Sequence, residues 1–212
     1  LKQREQKWIK RRTAPGLQFI RAEIQLNRET DVLRGLENVY SNIFNELPDK
    51  DRYLAKKDLL STIEDDGTAL AKGLSLMGAC LSKTVDDTHV EALMVDWTRL
   101  FRGVAPDYGP LPPFESMWRK EDGILETLAG IYAAHGVSVE GGITTMPDYI
   151  GVELAFISFL LENGKERDAA DFARQHPAVW IDDFCRKALE YAETDYYKGL
   201  LTSLPDLVKL FV

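Results

Sequence analysis

Two groups of residues in this 212-residue chain have the types and spacing to do chemistry. In the first, Trp97, Leu100 and Phe101 recur at helical spacing, Gly103 ends the run, and Pro106, Pro110, Pro112 and Pro113 lead on to Phe114-Glu115-Ser116. In the second, Pro147-Asp148-Tyr149 opens a segment that carries Gly151, Glu153, Leu154 and Phe156. Each group pairs apolar surface with defined polar groups. A groove lined by Trp97, Phe101 and Tyr149, with Asp148 and Glu153 nearby, would suit a peptide of mixed arginine and leucine character: carboxylates take the guanidinium and aromatic walls the alkyl chain. The same residues have plainer uses. Trp97, Leu100 and Phe101 would serve in a core, Asp148 at a helix end, and Glu153 as a buried hydrogen-bonding partner.

Catalysis finds little support. His89, His135 and His176 are far apart, and none has a metal-binding neighbour at HExxH spacing. No GxxxxGK[ST] loop and no GxGxxG after a strand are present. The acidic pairs Asp65-Asp66, Asp86-Asp87 and Asp182-Asp183 fall at helix starts or polar faces, where charge is simply solvated. No catalytic residue, metal site or cofactor is assigned.

The elements that must position the two groups read as helices. Thr30 can cap a helix whose stripe is Val32, Leu33, Leu36, Val39, Tyr40, Ile43 and Phe44, stopping at Leu47-Pro48. Further helices are expected through Tyr53 to Ile63, from Thr68 through Leu81, and from Asp86 or Asp87 to Phe101. Beyond the proline loop, helix is expected from Glu121 to His135, with Gly136 as its stop. Thr144 or Thr145 would cap the next, with Pro147 in its first turn. That helix runs through Ile150, Leu154, Ile157 and Leu161 and is apolar nearly all round, which marks it as central. Residues 165–175, a helix from Pro177, and one from Asp195 interrupted at Pro205 complete the pattern. Period-two alternation is nowhere sustained, and no repeat of 20 to 50 residues occurs. The expected class is all-α, a single globular bundle of about nine or ten helices with a long proline-rich loop.

Charge divides the chain. Residues 1–12 carry six basic side chains against one acidic, whereas residues 13–212 hold 20 basic and 33 acidic, a net of −13. Such a body repels the nucleic-acid backbone and attracts basic peptides. Residues 1–28 read as a basic extension, loosely docked or foreign to the domain of residues 29–212. Arg11-Arg12 does not begin an export signal, since the apolar run from Leu17 to Ile20 ends at Arg21. Cys80 and Cys185 lie in helix-like apolar contexts as free thiols, which fits a reducing cytoplasm. The longest apolar run, Leu154 to Leu161, is too short to span a bilayer, so no stable membrane insertion is expected.

The run W-x-x-L-F-x-G, the proline loop, P-x-E-S and D-Y-I-G-V-E-L-A-F together resemble the TorD/DmsD/NarJ family of chaperones for molybdenum-cofactor oxidoreductases. The resemblance covers roughly residues 30 to 212 and includes a late pattern matched by His176, Trp180, Phe184 and Tyr196 or Tyr197. It implies an all-helical, non-catalytic cytoplasmic protein. Its partner would be the twin-arginine signal peptide, or N-terminal segment, of a molybdoenzyme catalytic subunit, held until cofactor insertion is complete. By position Trp97, Leu100, Phe101 and Gly103 match the family's first binding motif and Ser116 its second. Asp148 matches the aspartate of E-P-x-D-H, where Thr145, Met146 and Tyr149 replace the glutamate, proline and histidine and Pro147 stands one place late. Peptide-binding residues are therefore expected at Trp97, Leu100, Phe101, Gly103, Ser116, Pro147, Asp148, Tyr149 and Glu153. Some members of the family bind guanine nucleotides, so the alternative is a nucleotide-binding or hydrolytic helical enzyme. A third reading makes the groove the seam of a helical dimeric scaffold, and the chain is expected as a monomer or an element-swapped dimer.

Overall fold

The computed structural model describes residues 29–51, 69–82, 87–103, 108–139 and 146–210. The basic extension, the helix expected through Tyr53 to Ile63, and the cap at Thr144 or Thr145 lie outside the described residues. Nine helices are set out: α1 Glu29–Asn45, α2 Ala69–Ser82, α3 Asp87–Phe101, α4 Glu115–Trp118, α5 Ile124–Ala134, α6 Ile150–Glu162, α7 Glu166–Gln175, α8 Pro177–Leu189 and α9 Asp195–Lys209. No strand occurs among the described residues, and the all-α helical bundle read from periodicity is the observed class.

The apolar stripe of α1 closes onto the central helix. Leu36, Tyr40, Ile43 and Phe44 are buried at spacings of three and four, and α1 packs chiefly on α6. α6 itself buries residues on almost every side. The other main pairing sets α2 against α9, with their backbones in close approach at Gly73 and Gly199. A Cβ on Gly199 would stand 2.6 Å from the Gly73 carbonyl oxygen, so the crossing tolerates only glycine. α8 packs beside α9, with Pro177 at its start, where a missing N–H costs nothing.

Four boundaries differ from the sequence expectation. α1 already begins at Glu29, so Thr30 lies inside its first turn and does not cap it. α5 begins at Ile124 and not at Glu121, after a turn at Asp122 and Gly123. α6 begins at Ile150, so Pro147 and Asp148 form a turn before the helix and are not its first turn. α9 is not interrupted at Pro205 but continues to Lys209. Leu200, Leu201, Leu204, Leu207 and Val208 are all buried around that proline, and their packing outweighs the roughly 3 kcal/mol that an interior proline costs.

Buried polar groups tie distant segments together. Asp96 of α3 accepts from the backbone N of Glu193 (3.2 Å) and of Thr194 (2.8 Å) and from Thr194 Oγ1 (2.6 Å), fixing the start of α9. The Trp97 indole donates to the Ile43 carbonyl at 3.0 Å. Tyr40 and Ser203 share a hydroxyl hydrogen bond. The aromatic side chains form two groups. One is enclosed, with Phe101 at its centre: ring centroids lie 4.6 Å away at Phe44, 6.1 Å at Trp97, 5.5 Å at Tyr197 and 6.4 Å at Phe184. The other gathers about Phe156, with Tyr132 at 4.6 Å, Phe172 at 4.8 Å and Phe159 at 6.1 Å.

Candidate functional site

The proline loop and the entrance to α6 are spliced by an isolated antiparallel bridge between Phe114 and Tyr149. Glu115 N donates to the Asp148 carbonyl at 2.8 Å, and Ile150 N to the Pro113 carbonyl at 3.0 Å. The Phe114 and Tyr149 rings lie 5.1 Å apart across it. Trp118 turns back to donate from Nε1 to the Pro112 carbonyl at 3.0 Å. Gly103 ends α3 with a φ of +62, and Pro112 lies so close that a Cβ there would be 3.0 Å from its Cγ. Residues 112–114 of the loop are thus seated between the end of α3 and the start of α6.

A buried polar cluster sits behind the splice. Asp148 accepts from Ser116 N at 3.1 Å and from Ser116 Oγ at 2.5 Å. An aspartate 32 residues away in sequence therefore caps the first turn of α4, where free N–H groups favour an anion. Glu115, fully buried, accepts from Arg119 and lies 3.1 Å from His176 Nδ1, which carries the hydrogen because a carboxylate only accepts. Arg119 also donates to the Gln175 carbonyl at 2.9 Å, so α4 is bolted to the junction of α7 and α8. Glu153 completes the cluster, with neither oxygen in hydrogen-bonding geometry to a partner among the described residues. Burial, and then the nearby carboxylates of Glu115 and Asp148, push its pKa well above the usual carboxylate range. Both effects favour the protonated, neutral form of Glu153 over the carboxylate.

The structure separates the expected binding residues into two sets. Trp97, Phe101 and Tyr149 are 1–2% exposed and Leu100, Asp148 and Glu153 fully buried, so no open groove joins Trp97, Phe101 and Tyr149. The rings of α3 are covered by Phe44 of α1, Phe184 of α8 and Tyr197 of α9, which is the core role open to them from the start. Trp97 and Tyr149 do belong to one neighbourhood, linked through Phe101 and Phe44, the latter 6.4 Å from Tyr149. Tyr149 OH donates to the Phe44 carbonyl at 2.8 Å, and burial pushes its pKa upward. At the surface stand Gly103, Ser116 and, half-buried, Pro147. Leu111, Met117 and Met146 expose apolar side chains on the same spliced segments.

Sequence reading left Glu115, Arg119 and Tyr132 out of the site. Glu115 and Arg119 could have been found as an i,i+4 acid–base pair. Tyr132, whose hydroxyl donates to the Pro147 carbonyl at 2.8 Å, gave no signal beyond its place on an apolar stripe. Among the described residues no group of His, Cys, Asp and Glu could hold a metal, and no helix is long and apolar enough to cross a membrane.

Comparison with solved structures finds a likeness to a crystal structure described as a redox enzyme maturation protein from Archaeoglobus fulgidus. The TM-score is 0.51 at 25% identity, covering 81% of this chain and 91% of that one. The family model described as nitrate reductase delta subunit matches residues 64–186, more than half of the chain, including the proline loop, the Ser116–Asp148 contact and the buried cluster. With the bundle, the spliced loop and this match in agreement, the chain belongs to the nitrate reductase delta subunit family, the NarJ/TorD type that its motifs resemble.

Proposed function

We propose that the protein is a cytoplasmic, non-catalytic maturation chaperone of a molybdopterin oxidoreductase. It binds the twin-arginine signal peptide or N-terminal segment of the catalytic subunit and holds it until the cofactor is inserted. The observation that carries this reading is the family match across residues 64–186, which contain the Ser116–Asp148 contact and the segments it joins. Ser116, Pro147 and Gly103 would meet the peptide directly, with Asp148 just beneath favouring its arginines. Trp97, Leu100, Phe101, Tyr149 and Glu153 would support that surface from inside. The acidic body favours encounter with a basic leader.

Calorimetry with synthetic peptides covering about the first 40 residues of the molybdopterin oxidoreductase catalytic subunits from the same genome tests the reading. The expected result is saturable binding by one such peptide, weakened about tenfold or more in Asp148→Asn, in keeping with roughly 1.5 to 3 kcal/mol for a charge-assisted contact. Failure of every such peptide, and of the intact subunits, to bind would end it.

A further inference from the structure

An apolar cleft of about 300 Å³ opens beside the second aromatic group, where Tyr132, Val139, Val152, Phe156 and Phe159 form most of its wall and Asn45 its polar end. None of these residues was among the expected binding positions. An enclosed apolar cavity of about 150 Å³ accommodates a benzene, so this volume suits two large apolar side chains. The cleft is tied to the Pro147–Asp148 turn through Tyr132, which lines it and donates to the Pro147 carbonyl, and Val152, also in its wall, lies in the first turn of α6. We propose that the cleft binds two apolar side chains, one helical turn apart, from a basic amphipathic segment in the client's N-terminal region. The same segment then places its basic residues over Ser116 and Asp148.

This rests on the chaperone reading above and names where the apolar half of the client goes. Charge selects the occupant. A body of net −13 attracts a basic segment and repels the like-charged body of a second copy. At the rim, His135 lies 5.4 Å from Phe156 and 3.3 Å from the exposed Asp168, which adds a carboxylate on the solvent side. Spacing selects a helix, since side chains three or four residues apart lie on one face and enter one cleft together.

Ala155 gives a test, because it lines the cleft yet is exposed, so a larger side chain there fills the cleft without entering the core. The probe is whichever of the leader peptides binds the full-length wild-type chain. The expected result is that Ala155→Trp lowers affinity at least tenfold with an unchanged thermal midpoint, and that replacing the peptide's paired leucines or phenylalanines with serine produces a loss that is not additive with it. Wild-type affinity in Ala155→Trp would overturn the cleft assignment and leave the chaperone reading standing. Binding of no leader peptide by the wild type would overturn both. A photoreactive phenylalanine at position 155 supplies a readout independent of that variant's folding. Cross-links to the peptide support the assignment, whereas cross-links to residues 1–28 of the same chain, or to a second copy, would overturn it.

Discussion

The two aromatic groups invert what their sequences advertise. The group around Phe101 contains the residues that stand out in the chain, a tryptophan and a phenylalanine in register before four prolines, and it is sealed. The group around Phe156 comes from a helix read as central packing, together with Tyr132 and Phe172, and it borders the open cleft. Both are built from rings at 4.6 to 6.4 Å separation. The difference is cover. Around Phe101 three helices contribute Phe44, Phe184 and Tyr197, whereas Phe159 remains half-buried and the side of α6 at Ala155 is bare. Conspicuous aromatic spacing reports the need for packing, and a binding surface is found where packing stops.

The sharpest way to break this comparison is to truncate one ring from each group. Phe101→Ala is expected to cost about 3 to 5 kcal/mol in urea unfolding, the range for a buried phenylalanine. Phe159→Ala should cost clearly less, because part of its surface is already in water. Equal losses would mean that the cleft wall is as closed as the core.

Next in size is Glu153, which lies beneath the surface that Ser116 and Asp148 support. Its raised pKa means that the folded state keeps a proton the unfolded chain releases above about pH 4.3. Stability from this group is fully present below that pH and falls, by up to about 1.4 kcal/mol per pH unit, as pH rises toward the folded pKa. Glu153→Gln keeps the shape without the ionisation, so it should flatten the decline between pH 5 and 8 and raise the urea midpoint most at the alkaline end. Glu37, buried in α1 with its pKa raised by burial alone, should contribute a second decline of the same sign. Wild-type and Glu153→Gln profiles that run parallel above pH 5 would contradict the Glu153 assignment.

The smallest effect belongs to the link between the cleft and the turn. Tyr132→Phe removes the donor to the Pro147 carbonyl and should cost about 0.5 to 1.5 kcal/mol. Faster amide hydrogen exchange at Asp148 and Tyr149 than at α9 would show that the loss is local. Uniform loosening would mean that the turn is not held separately from the rest of the bundle.

The comparison also shows what the sequence could reveal. Helix class and the apolar stripes were legible because burial imposes a period of about 3.6 on α1, α2, α3 and α8, whereas which stripe meets which was not. The continuation of α9 past Pro205 was not, since local propensity argued for a break and only the leucines from distant packing overrule it. Ser116 and Asp148 were both expected as binding residues, but their contact was not, because the bridge between Phe114 and Tyr149 brings them together through backbone pairing that no periodicity records. Exposure was the least legible property. Trp97 and Phe101 carry the side chains a peptide groove would use, and a core uses the same ones.

The hydroxyl contact between Tyr40 and Ser203 spans 163 positions of the chain and bears on how the protein is made. At 5 to 20 residues per second, the ribosome needs roughly 10 to 30 s to reach Ser203 after Tyr40 is joined. Throughout that interval α2 lacks its chief partner, because α9 follows every other described helix in the chain. The α2–α9 part of the bundle can therefore close only once α9 has been made. A nascent chain stalled before α9 would have α1 and α6 available to pair but would leave the apolar face of α2 uncovered, a natural target for proteolysis of unfinished copies.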